Sequence, residues 1–597
     1  MTVDVEPLVP ATRARSLELP AVSRTTLLEG GVVTVAVAVF AWYVMPGMAG
    51  RDAAKLTAAL LVASVCFVAT AAWRRLRPAV LALVAAVGLA ALVVCLVSPT
   101  AGAGLRTGAI YVLAALTYAS VAAFCRTPAR RTAAAVTAAL LGLLQLTQAL
   151  TAWLPGMDPS RLMIGTFFWH NQFGAYMLGT GLTAGVIAVI GDRTWRRITT
   201  AITPLCMAGV LLSGSRGSIL VLAAGWLAVG GLAVAQRGGA LCGVRRWLLV
   251  TALAAVAVTA LTSSLFFARS AAPTAAVESR GAGSTESSVR YRILTDRAAL
   301  AVIGEHPWTG AGFDSFFTAG SPHMPVNFTR SPYVHNGYLQ AAEEGGLLLA
   351  VPVLTSLAAA GWAAARRRGR SWRQLAGDWP RVACAAGAAG LLAHAAIDMD
   401  WSFPGLVVLT VLLLGVAGGE SALRTAAPAR LGCIAASLLA VLALTLGVGS
   451  AAGVAHWQQA RRLERTDPTS QATTAARQFG VFRDPKVDAA VLTAAVPRSF
   501  AGTVTMPHDV VADSLARTAR LATVDGALQM QRAQAYVALG RPEEAVRLAA
   551  ELAAEQSGNR PFLVSEYAEI LASVGRHGEA VDRLADALED NADEPAI

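Results

Sequence analysis

Long apolar runs recur along this chain of 597 residues, and they limit what it can fold into. Many of them reach about 20 residues, the length of a helix that crosses a bilayer. Lipid offers no hydrogen-bond partners, so a spanning chain must pair its backbone groups inside helices or a closed barrel. Barrel strands would be shorter and would alternate polar with apolar residues. Only 15% of the residues are charged, against about 25% in soluble domains. The sequence predicts an all-α, polytopic helical membrane protein.

The apolar runs predict about 12–13 transmembrane helices, each about 20 residues long. The candidate spans are 28–46, 56–73, 78–97, 107–125, 132–154, 171–190, 198–212, 217–235, 247–267, 336–365, 381–398, 402–418 and 431–453. This division predicts a leader over 1–27, a transmembrane domain over 28–453 and a polar C-terminal domain over 454–597.

Arginines in short loops predict the orientation. Groups such as Arg74–Arg77 and Arg366–Arg370 occur in alternate loops, and such loops stay preferentially on the cytoplasmic side. The leader is then cytoplasmic, whereas the loop 268–335, the turn Ser213–Ser218 and the C-terminal domain are external. The net charge of +11 reflects this loop pattern, and no nucleic-acid partner is predicted. We expect a multi-pass protein of the cytoplasmic membrane.

The seven cysteines form no CxxC motif, and most lie inside apolar runs. This favours small buried residues over disulfides or a metal site. We therefore predict neither a metal site nor a cofactor.

The C-terminal domain contains an internal repeat. The segments Leu539–Val546 and Val574–Val581 share their Gly and Ala positions 35 residues apart. That spacing is close to the roughly 34-residue period of tetratricopeptide repeats, in which Gly ends one helix and a small Ala lets the next approach. We predict an extracytoplasmic helical-repeat domain, completed by further helices near 470–525, with a protein partner as a secondary role.

Arginines of two external segments are candidates for binding an anion. Arg216 lies in a Gly- and Ser-rich turn, where a guanidinium can hold a phosphate through two hydrogen bonds. The alternative is an arginine that reaches toward lipid headgroups. Arg290 and Arg292 lie on a predicted amphipathic helix that Ser287 or Ser288 would cap. A basic helix face resting on anionic lipid is the alternative there.

A polar stripe enters the span that begins near residue 336. Asn336, Gln340 and Glu344 are spaced i, i+4, i+8, so they share one helix face and must face a polar interior. His335 stands at the head of this stripe and is a candidate proton acceptor.

A second polar group surrounds the external end of the span 381–398. It contains His394, Asp398 and Asp400, and His394 and Asp398, one helical turn apart, could pair with each other. Mutual neutralisation and a role in the site are both open for this pair. Asn171, at the external start of another span, is a further candidate.

Together these segments resemble the O-antigen ligase family, which also includes O-antigen polymerases and bacterial O-oligosaccharyltransferases. The resemblance covers about 160–418. Its matching pieces are Gly165–Phe167 with Asn171, Ser213–Gly217, Arg290 or Arg292 leading to His306–Gly312, and His335-Asn336 with Leu339, Glu344 and Gly346. An aromatic residue that often follows the family's loop arginine is absent here, so the match to Arg290 rather than Arg292 is a preference.

The resemblance implies a GT-C-like, metal-independent, inverting glycosyltransferase. Such an enzyme takes a glycan from a polyprenyl-diphosphate carrier in the membrane lipid and transfers it to a glycan, lipid or protein acceptor. It implies His335, Arg216 and Arg290 as catalytic residues. Arg292, Asn336, Gln340, Glu344, Asn171, His394 and Asp398 are the expected substrate-binding residues. The alternatives are a transporter for lipid-linked glycans and a non-catalytic scaffold of the cell envelope.

Overall fold

The computed structural model describes a protein built from helices. It describes residues 53–98, 101–153, 162–167, 169–234, 243–254, 256, 285–324, 333–365, 378–423, 492, 508–518, 526–555 and 560–590. These residues form no β-strand, and their one isolated bridge joins Leu76 to Leu423. Six of their helices are long and apolar enough to cross a membrane. The protein is therefore an all-α, multi-pass membrane protein.

The helices of the apolar region follow the predicted spans closely. They are α1 (Ala53–Ala69), α2 (Ala72–Arg75), α3 (Pro78–Val97), α4 (Ala101–Phe124), α5 (Pro128–Trp153), α6 (His170–Ile190), α7 (Arg193–Leu212), α8 (Arg216–Val234), α9 (Thr285–Glu305), α10 (Phe316–Ala319), α11 (Gly337–Ala365), α12 (Trp379–Ala395) and α13 (Pro404–Ala422). Residues 243–254 are also helical. The predicted spans 28–46 and 431–453 lie outside the described residues.

Helix α6 stands at the centre of one group of helices and is buried on every side from Asn171 to Ile190. It packs against α5, α7, α8 and α12. Glycines make this contact possible because a side chain would collide with the neighbours. A Cβ at Gly179 would lie 2.7 Å from Leu391, and one at Gly185 would lie 2.4 Å from Trp226. Small residues of this kind are the usual means by which membrane helices approach closely.

Helix α4 is the centre of a second group, which contains α1, α3 and α13. Helix α11 packs on α3 and α13 of this group, and α12 joins it to the first through contacts with both α13 and α6. The ends of α6 and α11 that carry Asn171 and Gln340 meet the connection between α12 and α13 at one end of the bundle.

Helix α11 is broken at Gly346, whose backbone (φ +56°, ψ −160°) is not helical. The chain segment 307–312, which follows α9, fills the break. Ala311 and Gly312 donate to the carbonyls of Glu343 and Glu344 (both 2.9 Å), while Leu347 and Leu348 donate to Pro307 and Trp308 at 2.8 and 3.0 Å. We call 307–312 the inserted segment. It satisfies the backbone groups that the break would otherwise leave unpaired at membrane depth.

Helix α9 is longer than predicted. It begins at Thr285, so the predicted cap at Ser287 or Ser288 is wrong. Serine is compatible with the first turn of a helix as well as with a cap, and the sequence alone therefore does not fix the start. The helix ends at Glu305, just before the inserted segment.

The C-terminal helices are α14 (His508–Thr518), α15 (Gly526–Ala538), α16 (Pro542–Glu555), α17 (Arg560–Ser573) and α18 (His577–Asp590). Each predicted repeat is a helix–turn–helix whose glycine, Gly540 or Gly575, has a positive φ. Arg541 and Arg576 then donate to the carbonyls of Tyr536 and Leu571, the bond that closes a glycine-ended helix. Ala545 and Ala580 are buried between the helices. Kinship with tetratricopeptide repeats and the external position of this region stay predictions.

The break in α11 predicts unequal responses to alanine at two of its glycines. Gly346→Ala should lower the free energy of unfolding by at least about 1–3 kcal/mol, because alanine is strained at this φ and its Cβ would lie 2.4 Å from the carbonyl carbon of Trp308. Gly361→Ala, on the same helix with nothing within 4 Å, should be neutral or stabilising by about 1 kcal/mol. Thermal unfolding in detergent measures both, and equal midpoints would contradict the insertion.

Candidate active site

The carboxylate of Asp398 is the point where several helices meet. Asp398 lies in the connection between α12 and the 3-10 turn Asp400–Ser402, and its side chain is only 2% exposed. Asn171 Nδ2, from the start of α6, donates to its Oδ2 at 2.7 Å, and Gln172 Nε2 donates to its Oδ1 at 3.3 Å. Arg292 Nη2, from α9, donates to Oδ2 at 3.2 Å. One carboxylate thus binds α6, α9 and α12 together.

His335 lies beside the same carboxylate, two residues before α11 begins. Its Nδ1 is 3.6 Å from Asp398 Oδ1, too far for a hydrogen bond but close enough for an ion pair when the imidazole is protonated. Its ring meets the edge of Tyr291 with centroids 5.7 Å apart, which holds the imidazole between α9 and α12. The side chain is 16% exposed, so the ring remains accessible from outside the cluster.

Asp398 keeps its charge despite its burial. Burial by itself raises the pKa of a carboxyl group, but His335, His394 and Arg292 outweigh it and lower the pKa of Asp398 to about 2. At Asp296 on α9 the effect of burial is the larger one. Partial burial raises the pKa of this carboxyl group, although the nearby His335 and Arg292 act to lower it. Asp398 is therefore an anion at every physiological pH.

The possible pair of His394 with Asp398 does not form. His394 Nδ1 lies 2.7 Å from Asp400 Oδ2 instead, in a fully buried contact. The pairing assumed a continuous helix, but α12 ends at Ala395 and the chain then turns, so residues four apart no longer share a face. His394 Nε2 has no hydrogen-bond partner among the described residues. It faces Gly217, where a Cβ would lie 3.3 Å away.

The turn that carries Arg216 packs against both α6 and α12. Ser215 caps α8, because its Oγ accepts the N–H of Ser218 at 3.3 Å. Gly214 has φ +65°, and a Cβ at Gly174 of α6 would lie 2.6 Å from Ser213 Oγ. Arg216 is the first residue of α8 and its side chain is exposed. No hydrogen bond or ion pair joins it to another of the described residues, so its guanidinium is available to bind an anion.

The polar stripe of α11 faces the interior of the bundle, as predicted. Asn336 caps the helix, since its Oδ1 accepts the N–H groups of Tyr338 (3.1 Å) and Leu339 (3.2 Å). Gln340 Nε2 donates to Glu344 Oε1 at 3.1 Å and to Ser402 Oγ at 3.0 Å. Glu344 Oε1 also accepts the N–H of Asp314 at 3.2 Å. Gln340 and Glu344 thus support the inserted segment from within the bundle.

The two loop arginines face different surroundings. Arg292 reaches Asp398, whereas Arg290 has an exposed side chain on another face of α9. The sequence pattern favoured Arg290 and did not single out Gln172 or Glu343. Gln172 follows Asn171 directly and could have been selected with it. Glu343, whose Oε1 accepts the hydroxyl of Ser315 at 3.1 Å, lies off the i, i+4 stripe and gave no such signal.

Metal-ligating side chains do not gather at this site. In the part of the chain that the structure describes, no group of three His, Cys, Asp or Glu residues could hold a metal ion. Basic side chains and amide groups surround Asp398 instead.

Residues 201–354 match the family model described as O-antigen ligase. This region of the chain is therefore similar to the O-antigen ligase family. The matched region contains Arg216, Arg290, Arg292 and His335. Asn171 lies before this region and Asp398 after it, and Asp398 contacts Arg292 and Asn171. With its six apolar helices, the chain has a ligase- or polymerase-like function in a membrane. No curated protein matches the chain.

The lowered pKa of Asp398 predicts how Asp398→Asn depends on pH. The variant leaves Arg292 without its anion, and it should lose about 1–3 kcal/mol of unfolding free energy at pH 7. Stability that comes from a lowered carboxyl pKa is present above the ordinary value and is lost as pH falls toward the folded value. The difference in thermal midpoint between the wild type and the variant should therefore stay constant from pH 7 to about 5. It should shrink below about 4. A difference that is absent at pH 7 would contradict the cluster.

Proposed function

We propose that this protein is a membrane glycosyltransferase that takes a glycan from a polyprenyl-diphosphate carrier and attaches it to an acceptor at the outer face of the cytoplasmic membrane. The product is either a ligated glycan or a longer polymer. The observation that carries the proposal is the convergence of His335 and Arg292 on the buried anion Asp398, next to the turn of Arg216. A base and cations at the same end of the bundle suit a reaction in which a diphosphate leaves.

Arg216 and the loop arginines would hold the diphosphate. The donor carries its negative charge at the membrane surface, and a guanidinium can bind phosphate oxygens through two parallel hydrogen bonds. Arg216 is exposed at the first turn of α8, where the helix N–H groups also favour an anion. Arg292 is already bound to Asp398, which suits it to fix the site and to share its remaining donors with the substrate. Arg290, with its exposed side chain, would bind the outer part of the donor.

His335 would act as the base. Asp398 lies next to Nδ1, which favours the tautomer with hydrogen on Nδ1 and leaves Nε2 to accept a proton. The acceptor hydroxyl gives its proton to Nε2, and its oxygen forms the new bond to the anomeric carbon. The bond from that carbon to the diphosphate breaks on the opposite face, so the configuration inverts. The diphosphate leaves with the electron pair, and the arginines stabilise the charge without a metal ion.

The other polar residues would support this chemistry. Asn171 and Gln172 fix the carboxylate of Asp398, and Asn336 fixes the start of α11 beside His335. His394, with its unpartnered Nε2 behind Gly217, would hold the Arg216 turn in place. The repeat helices after residue 508 would bind a protein partner outside the cell.

A transporter for lipid-linked glycans is the main rival. Transporters use broken helices to build a binding site at the midplane, where freed backbone groups contact the cargo. Helix α11 is broken, but the inserted segment occupies its freed groups. This use of the break favours a transferase. A non-catalytic scaffold would leave the cluster around Asp398 without a purpose.

The proposed roles predict the effect of two substitutions on transfer. His335→Ala should lower kcat about 10²–10⁴-fold, because it removes the base. Arg216→Ala should lower kcat/KM about 10²–10³-fold, because it removes a charge that stabilises the leaving group. The measurement is covalent transfer of glycan from a polyprenyl-diphosphate donor to an acceptor in detergent, with a chelator present.

Two variants serve as controls for that assay. Arg197→Ala removes an exposed arginine from the opposite end of the bundle and should leave turnover unchanged. Arg216→Lys keeps the charge but not the two parallel hydrogen bonds, so it should recover part of the activity. Full turnover in both His335→Ala and Arg216→Ala would refute the mechanism. Movement of the lipid-linked glycan across a membrane, without covalent transfer of the glycan to an acceptor, would favour the transporter.

The proposed orientation makes a separate prediction. Arg297→Cys on α9 should react with a membrane-impermeant thiol reagent on intact cells, because the helix is placed outside. Arg193→Cys, also at an exposed position but at the opposite end of the bundle, should react only after the cells are made permeable. The five cysteines among the described residues are buried, and wild-type cells measure the background. Labelling of Arg193→Cys but not of Arg297→Cys on intact cells would show that the protein has the opposite orientation in the membrane.

A further inference from the structure

An apolar cavity of about 310 Å³ lies between helices α3, α4, α11 and α13. Valine, leucine and alanine side chains form most of its lining, including Val84, Ala114, Leu357 and Ala360. Small residues on two facing helices leave the space open. The Asp398 cluster uses none of these residues.

The cavity runs lengthwise along the helices. Trp401 lies at one end, and Arg77 and Ala422 lie at the other. Lining residues on α13 extend from Val407 to Ala422, which corresponds to about 22 Å at the rise of an α-helix. The cavity is therefore long and narrow, parallel to the membrane-crossing direction of its helices.

The Trp401 end of the cavity adjoins the active site. The Trp401 ring packs edge-on against Tyr338 with centroids 4.6 Å apart, and its neighbour Ser402 accepts a hydrogen bond from Gln340. Tyr111, also in the lining, stacks on Phe313 just after the inserted segment, with centroids 5.7 Å apart. Aromatic side chains thus separate the polar site from the apolar cavity.

We propose that this cavity binds the apolar chain of the lipid-linked donor while its diphosphate occupies the site at the end of the bundle. The proposal rests on the function proposed above and names where the lipid part of that substrate lies. The cavity is apolar along its length and reaches the polar end of the bundle at Trp401, which suits a molecule with one charged end and one long apolar chain. Burying that chain in protein would supply binding energy far from the reacting bond.

A pair of alanine substitutions on α11 tests the proposal. Ala360→Phe places a ring in the cavity, whereas Ala358→Phe places the same ring on an exposed face two residues away. With a long polyprenyl donor, Ala360→Phe should lower kcat/KM at least about ten-fold, because a ring displaces several methylene-sized contacts. With a donor shortened to two isoprene units, it should match the wild type. Ala358→Phe should match the wild type on both donors.

Photolabelling gives a readout that does not require transfer. A polyprenyl phosphate with a diazirine on its chain should label α4 and α11 in the wild type and label Ala360→Phe much less. Equal turnover of Ala360→Phe and Ala358→Phe on the long donor overturns the proposal, as does stronger labelling of the cavity by a phospholipid with a diazirine on its acyl chain. If the wild type transfers glycan from neither donor, the proposed function fails, and the labelling still tests the cavity.

Ala114→Phe, on α4, replaces Ala360→Phe if the latter does not fold.

Discussion

A single buried anion organises the polar end of this bundle. Asp398 is taken out of water, which is costly for a carboxylate unless it is paired and hydrogen-bonded. Asn171, Gln172 and Arg292 supply these bonds from two other helices, and a protonated His335 would add an ion pair from a third. The requirement to satisfy one charge therefore fixes the relative positions of α6, α9, α11 and α12. The same requirement brings an imidazole and a guanidinium to one place.

The break in α11 leaves backbone groups that also need hydrogen-bond partners. At Gly346 the helix stops bonding to itself, and lipid could not replace the lost partners. The inserted segment does so, and Glu344 bonds to Asp314 just after it. The polar stripe of α11 thus mainly stabilises the packing around the break. Only Asn336, which caps α11, and Gln340, which bonds to Ser402, connect the stripe to the site.

The helices of this protein follow from its sequence more directly than its contacts do. Apolar runs gave the spans, with α3 at its predicted bounds, because hydrophobic length is a local property. Repeat spacing located the glycine-ended turns at Gly540 and Gly575 for the same reason. The partner of His394 was missed because it depends on where α12 stops, which is set by tertiary packing. Arg292 could be placed on α9, but its contact with Asp398, 106 residues later, is not encoded by any local pattern.

The attachment of α9 limits how the site can open. Arg292 near its start is tied to Asp398, and the inserted segment directly after its end is locked into α11. With both ends held, α9 cannot rotate away from the bundle about either end. It is thus not a hinged cover over the site. Under the proposed function, any motion that admits a substrate must therefore come from elements other than α9.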